Sequence, residues 1–351
     1  MYRQETTSSR FWTAGFAAVL LLSGVLTGTD ARAGQASNGR ALDSYEFHLK
    51  PGTASWAELS SHEEMLEATQ IPQGILKKMS TQGLVETALN YPLYLDMLAY
   101  DDPQVGFQRV AERFNGLKAL LERPDAGTEL LARYKAFDPT ITEGWALEQQ
   151  GAHAARLMYL EMMLSQESIR EKLTAEEQLQ LAVEKEVKNK VKQQYSEVYG
   201  KPADNPDTED YWTTVSTPNG STVWVIATTY ELSSAEIANA NNYVATAYPR
   251  AVRETNASRR YNCHSYAWYS QSIYNTAWMN APYQKTYWQD YSYSRVYSPY
   301  VSARVNYYYD DHSAIVAGSG VFRSKWGQLP RMLHAPSYSP YNASYFEYYY
   351  R

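Results

Sequence analysis

The chain has 351 residues, with 38 acidic against 32 basic side chains and a formal net charge of −6. That balance, with no basic stripe, argues against nucleic acid as a partner. A single cysteine in the whole length excludes a disulfide framework and any Cys-cluster metal site; neither an H-E-x-x-H run nor a glycine-rich phosphate loop occurs, so no metal and no cofactor is expected.

The N-terminus carries Arg3 and Arg10, an apolar stretch from Phe11 to Leu26, and Ala31-Arg32-Ala33 before Gly34. This reads as a signal peptide over residues 1–33, cleaved after Ala33, and points to a secreted or periplasmic protein. The apolar stretch is short and interrupted by Thr13, Gly15, Ser23 and Gly24, so no membrane span is expected after cleavage.

A polar leader over 34–61 gives way to a helical pattern from Glu63. Apolar residues recur at helical intervals through Phe107, Val110, Phe114 and Leu117, and a new helix is expected after Pro124. Residues 142–165 carry a Leu- and Met-rich stripe that reads as core. Thr174-Ala175-Glu176-Glu177 matches a capping box and predicts a long solvated helix to about Tyr199, with Leu179, Leu181, Val183, Val187 and Val191 on one narrow apolar face. His48, His62 and His153 have no ligand-like neighbours and read as ordinary residues.

Residues 201–220 read as a linker, with Pro202, Pro206 and Pro218 among acidic and Asn residues. A strand is expected from Thr222 to Leu232, and a second capping box at Ser233–Glu236 starts a helix to about Ala247. The organisation is therefore an acidic helical domain (62–200), the linker, and a Tyr-rich domain (221–351) that holds 19 of the 32 tyrosines between 261 and 351. Residues 34–220 hold 18 basic and 29 acidic side chains; residues 221–351 hold 11 and 7. Opposite charge favours docking of the two units, with the helical one as a pro-region or substrate-positioning arm, or as an independent domain. The fold class is α+β.

Tyr261-Asn262-Cys263-His264-Ser265-Tyr266-Ala267-Trp268-Tyr269 places the only cysteine at the head of an expected helix. A helix N-terminus favours the thiolate, so Cys263 is the candidate nucleophile. A thiol nucleophile needs a base. His264 is adjacent on the helix and points elsewhere, which leaves His312 and His334. His312 opens a strand at Asp311-His312-Ser313-Ala314-Ile315-Val316, which turns at Gly318 and Gly320 into a partner strand from Val321 to Trp326. That hairpin sets Ser324 or Lys325 beside the histidine.

Asn262 to Tyr269, followed by Asp311 to Val316, resembles the NlpC/P60 and CHAP group of papain-like cysteine hydrolases over roughly residues 222–335. The resemblance implies a Cys-bearing helix on a small antiparallel sheet, Cys263 as nucleophile, His312 as base, and bacterial cell-wall peptide (peptidoglycan) as substrate. The family carries His, Asn, Gln or Glu in the third role; this chain has Ser324 and Lys325 on that strand, with His334 beyond it. The Cys263 N–H, aided by the Asn262 or Tyr261 side chain, is the expected oxyanion donor. Trp268 and Trp326 are candidates for substrate contact among the aromatic residues. Two alternatives keep the same fold: a catalytically inactive secreted module binding glycan or protein, and an acyl or glutamyl transferase.

Overall fold

Side-chain caps start the helices where the sequence offers them. Ser61 accepts the Glu64 N–H, Ser80 accepts that of Gly83, and Asp102 accepts those of Gln104 and Val105 ahead of Pro103. In this computed structural model the described residues are 43–200, 210–307, 309 and 311–351. The expected signal peptide, residues 34–42 of the expected leader, residues 201–209 of the expected linker, Tyr308 and Asp310 lie outside them. Helices α1 (Ala54–Ala57), α2 (His62–Ala68), α3 (Gln73–Leu76) and α4 (Thr81–Leu89) lead to a 3₁₀ turn at Tyr94–Ala99. Then come α5 (Pro103–Arg113), α6 (Asn115–Glu122), α7 (Ala126–Lys135), α8 (Leu147–Ser165), α9 (Glu167–Arg170), α10 (Ala175–Gln194) and α11 (Ser196–Tyr199). None of the helices among the described residues is long and apolar enough to cross a membrane.

Both expected capping boxes form, at Thr174–Glu177 and Ser233–Glu236. The apolar face of α10 differs from expectation. Leu181 and the stem of Lys188 are buried, while Leu179, Val183 and Val187 are exposed. The buried Lys188 ammonium donates to the Phe137 carbonyl at 2.7 Å and lies over the Tyr134 ring. The four-carbon stem supplies the packing surface that the valines would otherwise give.

The C-terminal part is built from antiparallel strands. Part of the segment read as linker is itself a strand: β1 (Tyr211–Ser216) pairs with β2 (Thr222–Ala227) across a turn in which Gly220 has φ +90°. Tyr-Trp-Thr-Thr-Val followed by Asn219-Gly220 is a hairpin signal that the flanking prolines and acids obscure. The strand expected to reach Leu232 ends at Ala227. After α12 (Ser234–Ala247) come β3 (Val252–Arg253), β4 (Ala277–Trp278), α13 (Thr286–Gln289), β5 (Ser294–Val296), β6 (Arg304–Tyr307), β7 (Ser313–Gly318), β8 (Val321–Lys325), β9 (Arg331–His334) and β10 (Phe346–Tyr350). One sheet has the order β1-β2-β4 and the other β3-β9-β8-β7-β6-β10-β5.

The described residues from Asp43 to Arg351 form one compact unit. The most extensive of their three buried apolar clusters runs from Phe47 and Trp56 through the helices to Tyr307 and Phe322 on the large sheet and to Tyr341, and a second holds Tyr261, Tyr266 and Trp268. Buried polar groups stitch the first together. His62 Nε2 lies 3.0 Å from Asp96 Oδ2, and Asp96 Oδ1 accepts the hydroxyls of Tyr243 and Tyr248 at 2.7 and 2.8 Å. Trp56 Nε1 donates to the Ala247 carbonyl at 2.7 Å. His62, which reads as ordinary in the sequence, thus belongs to a network that crosses from α2 to α12.

Helices α8 and α12 cross at Gly151, where an added Cβ would lie 2.0 Å from the Ala235 carbonyl oxygen. The obstruction is backbone, which has no rotamer to escape to. Gly151→Ala is expected to lower stability by about 2 kcal/mol despite its better helix propensity. Urea unfolding monitored by circular dichroism checks this; unchanged stability would mean that the crossing relaxes freely.

Candidate functional site

Asn262 sets the site. It is wholly buried, and its Oδ1 accepts the backbone N–H groups of Ser265 and Met279, both at 3.1 Å. Its Nδ2 donates to Asp101 Oδ1 and to the Met279 carbonyl, each at 2.7 Å. The side chain therefore caps the Cys-bearing turn and ties it to the segment after β4 and to Asp101. Both amide hydrogens are spent, so Asn262 has none left for an oxyanion in this state, contrary to its expected role. The turn continues as a wide π-type helix over Ser265–Tyr269, in which Ser270 N–H reaches the Ser265 carbonyl.

Cys263 opens this turn with 1% of its surface exposed. Burial pushes its thiol well above the ordinary range, and the nearby Asp101 and Asp311 carboxylates add to the effect. The backbone N–H groups of Ser313 and His264 aim at the sulfur and act the other way. Desolvation outweighs the helix-terminus effect anticipated from the sequence, and the closed state holds a neutral thiol.

The Ser313 contact places the first residue of β7 against the thiol, one residue after His312. The His312 ring stacks on Tyr341 at 3.5 Å and meets Tyr307 edge-on at 4.7 Å. Neither ring nitrogen has a hydrogen-bond partner among the described residues, so the expected imidazole–thiol hydrogen bond is not formed here. Burial, followed by the neighbouring His334 and His264, drives its pKa well below 6.5 and keeps the ring neutral.

Ser324 and His334, the expected orienters, pair with each other at 2.8 Å and not with His312. His334 Nδ1 donates to the Ala335 carbonyl at 2.8 Å, leaving Nε2 to accept the Ser324 hydroxyl, whose oxygen accepts Trp326 Nε1 at 3.0 Å. Burial lowers the His334 pKa to about 4. Lys325 is equally occupied: its ammonium donates to the carbonyls of Ser258, Gly327 and Leu329 at 2.6–2.8 Å, over the Tyr261 ring. It clamps the loop after β8.

Tyr261, Trp268 and Trp326 are all buried. They hold the site from behind and offer no face to a substrate in this state. Trp268 Nε1 donates to Ser313 Oγ at 2.9 Å, and that oxygen shares a second hydrogen bond with His264 Nδ1 at 2.8 Å.

The structure also gathers residues that the sequence pattern passes over. His264 Nε2 stands 3.6 Å from Asp101 Oδ2, and the Asp101 carboxylate, the Cys263 sulfur and a His264 ring nitrogen lie within 4.8 Å of one another. Asp101 Oδ2 also accepts the Ala281 N–H at 2.9 Å. Burial pushes its pKa up, while His264, Ala281 and Asn262 pull it down. The available signal was the Asp101-Asp102-Pro103 triplet, in which one carboxylate caps α5 and the other is left over. Among the described residues, these three are the ones grouped so that they could hold a metal ion. No protein-family model, no curated protein and no solved structure matches the chain.

Proposed function

We propose that the chain is a secreted papain-like cysteine hydrolase of NlpC/P60 or CHAP type that cleaves amide bonds in cell-wall peptide. The observation that carries this reading is the environment of Cys263. The only thiol of the chain heads a capped helical turn and receives the amide of Ser313, the first residue of β7, whose chain neighbour His312 is a buried neutral imidazole with both nitrogens unspent among the described residues. His334 is committed through both nitrogens to Ser324 and Ala335, and His264 is held by Ser313 with its Nε2 towards Asp101, which favours His312 for the thiol proton. A neutral imidazole is the form a base requires.

In the proposed reaction His312 accepts the proton from Cys263 and the sulfur adds to the amide carbon. The oxyanion takes the Cys263 backbone N–H. Expulsion of the protonated amine leaves a thioester, which water hydrolyses. Tyr341 orients the His312 ring by stacking, in place of a hydrogen-bonding third residue. With the sulfur 1% exposed, this cycle requires the cover over the thiol to open.

Cys263→Ser is expected to keep the melting profile and lower hydrolysis of purified peptidoglycan by a factor on the order of 10³ or more. Wild-type activity in that variant would end the proposal. The same burial favours one other reading, an inactive module that binds glycan or protein and retains the thiol as packing. Carboxamidomethylation at neutral pH separates the two: slow labelling accelerated by peptidoglycan supports the hydrolase, and complete inertness with and without it supports the module.

A further inference from the structure

We propose that Asp101, Cys263 and His264 form a site for a soft divalent cation, with Zn²⁺ the best match. The three side chains come from two distant stretches of sequence and present one ligand atom each within 4.8 Å of one another. Thiolate, imidazole and carboxylate together suit Zn²⁺ or its close neighbours and disfavour Mg²⁺ and Ca²⁺, which prefer oxygen.

The separation of His264 from Asp101 supports an ion more than a hydrogen bond. At 3.6 Å the Nε2–Oδ2 pair is beyond hydrogen-bond length, in a buried setting where a ring N–H facing a carboxylate would close to less than about 3 Å. Ligand atoms around a tetrahedral Zn²⁺ stand about 3.3–3.6 Å apart, given metal–ligand bonds of about 2.0–2.3 Å. Closing the third ligand, which lies within 4.8 Å, onto the ion needs side-chain shifts of about 1 Å.

The supporting shell is already in place. His264 Nδ1 is engaged with Ser313 Oγ, itself fixed by the Trp268 indole, so that Nε2 is the nitrogen directed at Asp101. Asn262 and the Ala281 N–H orient the carboxylate. Metal-binding histidines and carboxylates characteristically have such partners. Binding replaces the Cys263 S–H bond with a metal–sulfur bond and releases the proton to solvent. Three protein ligands leave a fourth position for water, which suits an exchangeable ion. On the hydrolase reading, an ion on this sulfur takes away the nucleophile, making the site an inhibitory one that a chelator reverses.

The test uses the chain from residue 34 onward, stripped of metal and titrated with Co²⁺. A thiolate-to-cobalt charge-transfer band with tetrahedral d–d bands, saturating at one equivalent and displaced by Zn²⁺, is expected. Cys263→Ser should abolish the charge-transfer band, and Asp101→Asn and His264→Gln should each weaken Co²⁺ binding at least tenfold. Thermal melts of every variant identify any that fail to fold; Asp101→Asn, which keeps the side chain's shape and one of the two acceptor oxygens used by Asn262 and Ala281, serves as the conservative variant. Absence of the band in folded wild type, its persistence in Cys263→Ser, or undiminished affinity in Asp101→Asn would overturn the site. Because the spectrum is read without substrate, a protein that is inactive when metal-free yet gives the full cobalt signature on titration would retire the hydrolase reading and leave the metal site standing.

Discussion

A polypeptide of residues 221–351 alone is expected not to fold, although it contains the whole Cys and His pattern. The helices supply what this stretch cannot replace. Tyr100 donates its hydroxyl to the Pro340 carbonyl, Arg113 donates to the same oxygen, and Tyr341 donates to the Ala99 carbonyl. Gln328 N–H reaches the Leu98 carbonyl at 2.8 Å, and Gly327 packs so closely on Leu98 and Ala99 that a Cβ would overlap their backbone. Removing the helices also unpairs the Tyr243 and Tyr248 hydroxyls, takes the acceptor partner Asp101 from Asn262, and exposes the inner face of the large sheet. Each buried polar group left without a partner costs about 1–3 kcal/mol, and several such losses exceed the roughly 5–15 kcal/mol that holds a typical domain together. Circular dichroism melts give the comparison. Residues 43–351 should unfold cooperatively and 221–351 should show no transition; a cooperative melt with native near-ultraviolet signal from the shorter chain would refute this. A helical pro-region whose removal releases activity is not what such a core supports.

The second large effect is a pH dependence of stability carried by His334. Its pKa is about 4 in the folded chain against 6.5 for the free group, because burial disfavours the imidazolium by more than the hydrogen bond to the Ala335 carbonyl favours it. A lowered folded pKa means that the unfolded chain binds the proton first. The stabilisation is complete above pH 6.5 and is lost as pH falls towards 4. The interval corresponds to roughly 3 kcal/mol. His312 acts in the same direction. Asp311 opposes them: burial raises its pKa to about 6, so the folded chain gains a proton before the unfolded one as the solution is acidified. The expected result is therefore a difference between variants. His334→Gln should flatten the stability profile between pH 6.5 and 4, and Asp311→Asn should steepen the acid loss. Urea titrations across that range decide it, and parallel profiles for wild type and His334→Gln would show that the histidine carries no such linkage.

Local chemistry made much of this architecture readable in advance. The capping boxes at Thr174 and Ser233, the hairpin at Gly318 and Gly320 and the turn headed by Cys263 each depend on residues close in sequence, and each forms. What the sequence hid depends on distance. Asp101 reaches Cys263 because the chain just before it, Leu98 and Ala99, packs on Gly327, Gln328 and Tyr341, and nothing in the spacing of the two motifs signals that meeting. The hairpin alone suggests Ser324 or Lys325 as the neighbour of His312, with His334 beyond them; pairing of β8 with β9 instead sets Ser324 against His334. The exposed valines of α10 show a related limit, since periodicity locates an apolar stripe without saying whether a neighbour covers it.

The indole of Trp268 gives the protein an internal optical gauge. It lies 4.9 Å from Trp288 and within 6.0 Å of Tyr287, Tyr293 and Tyr349, ring centre to ring centre. Rings this close exchange excitation energy, so light absorbed by the tyrosines is funnelled into the tryptophan pair, and the two indole transitions couple into a signed near-ultraviolet couplet. Since the Trp268 N–H is held by the same serine oxygen that engages His264, any event that lifts β7 off the thiol also removes the hydrogen bond of this indole. Opening at the sulfur therefore carries a spectral signature of its own, readable in unlabelled protein on the timescale of a stopped-flow mixer.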